Sequence, residues 1–414
     1  MRTSTRIAIA VLVLLFLGAL AAGGWWYQTR QRAASTTAST LTVNVTSAAD
    51  RGPGTLREAL FIVAAATGKA DVLLKVPAIS LETALPPLVN PHGVRIVGLQ
   101  GGTQIDAHAL SGAPVFDVAG DNTALEGLQL KNCSGGAVLL RATQFHMRGT
   151  ALEGCDVGVD VAENARDVLI EHNRFTGGRI GVRFAASAAN TVIAGNVFTQ
   201  QKDAGLWAVR AEPDARGSAI TVRDNHFEGD RSGIVAANVA ILIERNEFAD
   251  NPEGAIHLLG AGAVVRANHI GGGPGMGIIA ENASEALIED NELDHLVAYG
   301  IMVRGSANVL LRGNRVHNCG YGLAFVLGDP RRPSTAQDNT IIEPQFNGID
   351  VIGDSPILRH NQVLQPRAFA LHVTDFQQPD GRKVASRPFL ENNNFRAEST
   401  AVASGAAPTA VRQP

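Results

Sequence analysis

The chain has 414 residues, of which 45% are hydrophobic, 18% charged and 5% aromatic, an apolar content that excludes disorder throughout. Its 44 glycines follow no Gly-X-Y period, which excludes collagen and calls for many tight turns. A net charge of −4, from 35 basic and 39 acidic side chains, demands no basic surface, so no nucleic-acid partner is expected.

At the amino terminus Arg2 and Arg6 precede an apolar run, Ile7 to Ala22, closed by Gly23, Gly24, Trp25, Trp26 and Tyr27. Residues 1–27 therefore read as a membrane segment: an uncleaved anchor with an interfacial aromatic belt, or a signal peptide cleaved near Ala19-Leu20-Ala21. The small, polar residues up to 40 read as a linker. The expected location is a bacterial inner membrane, single-pass through residues 7–27 with the remainder in the periplasm, or secretion if the signal is cleaved.

Thr55 or a neighbour opens LREALFIVAAATG, an amphipathic stretch ending at Gly68 that predicts a capping helix near 55–67. Residues 71–126 then hold looser strands (DVLLKV, GVRIVG, PVFDVAG). Cys133 and Cys155 lie one repeat apart, placed either to bridge neighbouring coils or to sit as buried thiols, and Cys319 is left over. No Cys or His spacing reads as a metal site, and no cofactor is expected.

From 173 onward the chain repeats itself. Segments such as VLIEHNRF, ILIERNEF and ALIEDNEL place an Asn at 173, 196, 225, 246, 268, 291, 314, 339 and 361, with Thr150 and Gly127 in equivalent earlier places and Asn393 or Asn394 ending the series. This period of 22 to 23 residues is a solenoid signature. Within each unit apolar residues alternate before the Asn, a large apolar residue (Phe175, Phe198, Phe227, Phe248) follows two positions after it, and Gly-apolar-x-apolar comes later. Alternation at period two means strands, and short strands recurring once per turn pair with their own equivalents in a parallel β-helix. The Asn column is structural: its amide bonds the coils above and below, and Asn tolerates the left-handed backbone of a bend.

Two positions before the Asn the residues run Arg148, Glu171, Ala194, Arg223, Glu244, Arg266, Glu289, Arg312, an outward ladder of alternating sign that favours correct register. Two positions after the Gly, a second outward column runs Val138, Asp160, Arg183, Trp207, Val235, Ile256, Ile279, Met302, Ala324, Asp350, His372.

The opening LTVNVTSAADRGPGTLREAL, with LETALPPL, VRIVGLQGGTQIDA and LEGLQLKN, resembles right-handed parallel β-helix repeat proteins of the pectate-lyase-like superfamily. The resemblance covers residues 41–396 and implies an all-β, single-stranded right-handed parallel β-helix, for which ten to eleven coils are counted. It also implies an association with polysaccharides, through members that are lyases, hydrolases, C5-epimerases or non-catalytic relatives. The Gly-His-Gly pattern of polygalacturonases, the Asp-Pro-His motif of periplasmic alginate epimerases and a pectate-lyase-like calcium cluster are not found.

Two groups of side chains are candidates for catalysis. Asp350 and His372 fall on adjacent coils, where the carboxylate would orient the imidazole. Asp294 and His317 do likewise, beside Tyr299 and Tyr321, which immediately precede a Gly as do Glu253, Met276 and Asn347. On a uronic-acid chain His317 would be the base, Tyr299 or Tyr321 the acid, and Arg304, Arg331 or Arg332 the carboxylate partner. Longer coils at 211–217, 328–334 and 375–388 all follow the Gly-apolar-x-apolar strand and would border a binding surface, with Asp375 among its contacts. Residues 397–414 read as a disordered tail.

The expected function is to bind or modify an exported polysaccharide or oligosaccharide, by lyase or C5-epimerase chemistry before hydrolysis. The alternative is a non-catalytic scaffold that meets an envelope protein through the apolar column at Ile256, Ile279 and Met302. Copper handling is a third reading, for which four methionines and scattered histidines offer no evident ligand set.

Overall fold

Three short strands and three bends make up each turn of the chain, and the turns stack into a right-handed parallel β-solenoid. This computed structural model describes residues 40–163, 165–185, 189–211, 219–260, 262–396 and 402–404. The expected membrane segment lies outside them, and no helix among the described residues is long and apolar enough to cross a membrane. The unit described below is the one running from Thr42 onward.

Equivalent strands pair in parallel to form sheets of 15, 14 and 13 strands. The solenoid therefore has about 13 full turns, more than the ten to eleven counted from the Asn repeat. The difference lies in the first coils: strands Leu41–Val45, Ala70–Leu74 and Val94–Val97 join the first sheet although they lack the Asn that marks later turns. At the other end Val402–Ser404, within the segment read as a tail, pairs with Leu371–Val373.

The Asn column runs from Asn173 to Asn393 as a ladder, buried as far as Asn361. At each step the side-chain oxygen accepts from both the backbone N–H and the side-chain amide of the preceding coil's Asn, as where Asn225 N and Nδ2 both donate to Asn246 Oδ1 at 3.0 and 2.9 Å. The Asn246 amide also donates to the Val222 carbonyl at 2.9 Å. Thr150 begins the column, its N–H donating to Asn173 Oδ1 at 3.0 Å. The left-handed bend is not on the Asn itself. It falls one residue earlier, at His172, Asp224, Arg245, Ala267, Asp290, Asp338 and His360, and again four residues after the Asn, at Gln200, Asp250, His295 and Asn318. The Asn turns its amide into the core, and the residue before it takes the strained backbone.

Inside, Phe175, Phe198, Phe227 and Phe248 stack face to face at 4.7, 4.7 and 4.9 Å. Ile270, Leu293, Val316, Ile341 and Val363 continue the row in the core. Outside, the charged ladder on the first sheet has the expected register. Arg266 binds Glu244 at 2.7 Å and Arg312 binds Glu289, while Glu171 turns instead to His146 at 3.0 Å. Cys133 and Cys155 form a disulfide between adjacent coils, and Cys319 is free and buried.

A helix, α1 (Leu56–Ala64), closes the first coil with Leu56, Ala59, Leu60 and Val63 buried beneath it. It ends earlier than the Gly68 expected, since the Asn90 amide draws the chain across by donating to the carbonyls of Val63 and Gly68 at 2.9 and 3.1 Å. Thr55 caps its start. Asp50 ties it to the next coil, accepting from Arg57 Nη2 at 2.8 Å and Thr83 Oγ1 at 2.9 Å. Burial would raise the Asp50 carboxyl, but these bonds outweigh it and hold it near pKa 2.

A second internal polar step lies five residues after the Asn. Asp230 is fully buried, accepts from Gln201 N at 2.7 Å through Oδ1, and leaves Oδ2 without a partner among the described residues. Desolvation pushes its carboxyl up to about 7.

The ladder and this buried acid give three testable consequences. Replacing Asn246 by Ala strands the backbone N–H of Asn225 and the Val222 carbonyl, and denaturant titration should show a loss of about 3 kcal/mol. Ala267→Gly, which relieves a left-handed backbone, should gain about 1 kcal/mol. For Asp230, a carboxyl raised on folding contributes stability that is fully present below its unfolded pKa and is lost as pH rises through the folded value. Wild type should therefore weaken between about pH 4 and 7, by at most about 1.4 kcal/mol per unit from this group, relative to Asp230→Asn. Parallel pH-stability curves for the two proteins would contradict the assignment.

Candidate functional site

The third sheet carries the candidate groups. Strands Tyr299–Arg304, Tyr321–Val326, Ile349–Ile352 and Leu371–Thr374 lie side by side. Their register sets Met302, Ala324, Asp350 and His372 in one outward row, with Ile301, Leu323, Ile349 and Leu371 in the core. Two members of the expected column belong elsewhere: Val138 and Ile256 are in the core, and Leu139 and His257 take their outward places. The cause is local. Gly254 sits one position early, opposite Ser232 and Met276, and Ala255 aligns with Gly233 and Gly277, so Glu253 is displaced from the Met276 column as well. With His257 in the middle and Val235, Ile279 and Ala324 buried, the apolar stripe expected as a protein interface is not formed.

Asp350 and His372 meet as the spacing predicted, Nδ1 to Oδ1 at 3.0 Å. Asn347 Nδ2 donates to the same oxygen at 2.8 Å, and the Tyr299 hydroxyl donates to Oδ2 at 3.3 Å from two coils away. Asp350 is only 2% exposed; burial raises its carboxyl, opposed by the bonds from Asn347 and His372. A carboxylate accepting at Nδ1 leaves the His372 Nε2 lone pair as the basic position, facing away from Asp350. Burial, reinforced by the Asp350 charge, drives the Tyr299 phenol far above its ordinary value, so Tyr299 remains a hydrogen-bond donor.

The tyrosines thus belong with Asp350 and His372. Tyr299 stacks on Tyr321 at 4.5 Å, and Tyr321 on Phe346 at 4.9 Å. Phe369, one coil further, stacks on His372 at 5.9 Å. Asn347 was placed in the column of Tyr299 and Tyr321 without a role, and Phe346 was not singled out, although it stands at the corner one coil after Tyr321, where an aromatic column would have been legible.

The other candidates are placed differently. Asp294 and His317 are in register on the second sheet. The Asp294 carboxylate binds His295 Nδ1 at 2.9 Å, and His317 lies 3.9 Å from Glu343 with its ring edge-on to His295. Neither bonds a tyrosine among the described residues. Arg304 lies on the third sheet near Glu281, at 3.6 Å. Arg332 reaches Glu285 at 2.6 Å from the 328–334 loop, where Arg331 is exposed. Asp375, expected to touch substrate, instead holds its own loop by accepting from Ser386 N at 3.0 Å, next to a hairpin of Phe376–Gln377 with Lys383–Val384. This loop and 328–334 share the corner between third and first sheets as expected, and residues 212–217 of the 211–217 insertion lie outside the described residues.

Two family descriptions match the chain: "Right handed beta helix region" over residues 212–363 and "Periplasmic copper-binding protein (NosD)" over 101–256. The chain is a right-handed parallel β-helix protein. Among solved structures, the catalytic unit of an α-1,3-glucanase from Streptomyces thermodiastaticus matches at TM-score 0.58 and 13% identity, over 89% of this chain and 70% of that one. A tailspike of E. coli bacteriophage HK620, solved with a hexasaccharide, matches at 0.54 and 12%, over 85% and 78%. The mannuronan C-5 epimerase A-module of Azotobacter vinelandii matches at 0.51 and 14%, over 88% and 100%. At these identities the likeness is one of fold. No curated protein sequence matches.

Among the described residues of 101–256 the donor set does not fit copper. The soft donors Met147, Cys133 and Cys155 are in the core, the two cysteines bonded to each other, and His146 is paired with Glu171. Among the described residues no group of three His, Cys, Asp or Glu side chains converges on one point.

Proposed function

We propose that this β-helix protein binds and modifies an extracytoplasmic polysaccharide on the outer face of its third sheet, tethered to the membrane through residues 7–27. The Asp350–His372 pair carries the reading: a buried carboxylate, fixed by Asn347 and Tyr299, orients an imidazole whose second nitrogen is left for a ligand. The disulfide supports an oxidising compartment. Support for a carbohydrate ligand comes from the solved relatives, two of which are named for action on glycans and one of which holds a hexasaccharide.

Proton transfer suits the site better than hydrolysis. Glycoside hydrolysis commonly uses two carboxyl groups flanking the bond, whereas Asp350 is the single carboxylate of this cluster and its hydrogen bonds are already spent on Asn347, His372 and Tyr299. On a uronate, His372 Nε2 takes the C5 proton. The electron pair then either forms the C4–C5 double bond as the glycosidic oxygen leaves with a proton from Tyr321, or is reprotonated at C5 from the opposite face. Tyr321 is the better acid because Tyr299 is committed to Asp350. Arg304, on the same sheet, is the partner for the sugar carboxylate, at the cost of its contact with Glu281.

The test is turnover by the full chain on polyuronates, followed by absorbance of unsaturated ends and by C5 inversion in NMR spectra. His372→Ala should lower kcat by 100-fold or more, Tyr321→Phe should follow it, and His317→Ala should leave the rate unchanged. Turnover that survives His372→Ala removes this site; glycan binding without turnover in wild type reduces it to a binding face.

A further inference from the structure

Helix α1 covers the open end of the first coil, and its outer face breaks the rule for such caps. A terminal cap needs a polar outer surface to keep the stack soluble. Here the polar residues stop after Arg57 and Glu58, and ALFIVA follows, apolar on every side. Ala59, Leu60 and Val63 are spent on the core, which leaves Phe61 at 62% and Ile62 at 42% exposed. Val89 is 47% exposed in the segment beneath the helix, where its neighbour Asn90 donates to the carbonyl of Val63. The C-terminal part of the helix is thus apolar on its outer as well as its inner face, and no described residue covers the outer one.

We infer that this face rests on a lipid bilayer, with Phe61, Ile62 and Val89 at the boundary between headgroups and acyl chains. The inference depends on the tether in the reading above. The apolar run and Trp25-Trp26-Tyr27 precede the first strand by residues 28–40, which span at most about 45 Å when extended. The cap is the end of the solenoid at which that linker arrives. An interfacial helix buries its apolar side some 5–10 Å into the headgroup region, and a second contact beside a tether costs little further entropy. Lys69, exposed just beyond the helix, is placed for anionic headgroups. Seated this way the solenoid stands away from the surface, and the Asp350–His372 row lies roughly 50–60 Å above it, at about 4.8 Å per coil.

The experiment uses the full chain in phosphatidylethanolamine/phosphatidylglycerol vesicles, with a nitroxide on single cysteines introduced as Phe61→Cys, Val89→Cys, Gln362→Cys and Leu14→Cys. The native cysteines are bonded or buried and take no label. Accessibility to oxygen and to a water-soluble nickel chelate gives depth. The expected result is a label at 14 in the bilayer core, labels at 61 and 89 near the interface with at least a threefold loss of nickel access on adding vesicles, and no change at 362. A buried label at 14 with aqueous labels at 61 and 89 overturns the docking and spares the tether. An aqueous label at 14 removes the tether, and the docking that depends on it. Labels at 61 and 89 that are protected without vesicles identify a protein contact and overturn it too.

Discussion

Every turn of this solenoid has to dispose of peptide groups at a corner where the strand ladder is interrupted, and the Asn column solves that problem. A buried N–H without an acceptor costs about 1–3 kcal/mol, and the corner recurs at every coil. One Asn per turn offers an oxygen to the coil before it and an amide that reaches back to a strand carbonyl, as Asn246 does for Asn225 and Val222. The bond set is the same at each step from Asn173 to Asn393, so the corner is locked to one geometry. Left-handed residues one before and four after the Asn then bound a three-residue strand. Strand length, register and the choice of which side chains face out are all consequences of that corner.

Register in turn builds the candidate site. Met302, Ala324, Asp350 and His372 are neighbours because each occupies the same step of its coil, 22 to 26 residues from the next. A loop can therefore lengthen between sheets without disturbing the row, as the 328–334 and 375–388 loops do. The same rigidity allows Asp350 to be buried on an outer face: Asn347, Tyr299 and His372 come from fixed positions and supply the bonds that an isolated carboxyl would lack.

What was legible in the sequence follows the strictness of each signal. The Asn spacing, the Phe stack, the charged ladder and the pairing of Asp350 with His372 all rest on one-coil offsets, and those could be counted. Asn-free coils before residue 127 could not, which is why turns were missed. Gly254 misled because glycine was used as a ruler, while the structure needs only a small residue there and accepts Ala255. The bond from Tyr299 to Asp350 crosses two coils and depends on how a ring leans, which no period reveals. Asp294 and His317 show the converse: register makes them adjacent, yet local rotamers give Asp294 to His295.

The three outer faces differ in what they leave uncommitted, and this separates a working surface from a merely stable one. The first sheet pairs much of its outward charge internally, Glu244 with Arg266 and Glu289 with Arg312. On the second sheet the histidines are occupied with carboxylates, His226 with Glu247 and His269 near Glu292. Exposed pairs of this kind contribute little stability, and their use lies in register. The C-terminal part of the third sheet is built on another plan. Its carboxylate is buried and fully bonded, while the Tyr321 hydroxyl and His372 Nε2 have no partner among the described residues. Polar groups oriented by a rigid frame yet left unpaired are worth little to folding. On the function proposed above, a ligand that meets them both is what gives such an arrangement its value.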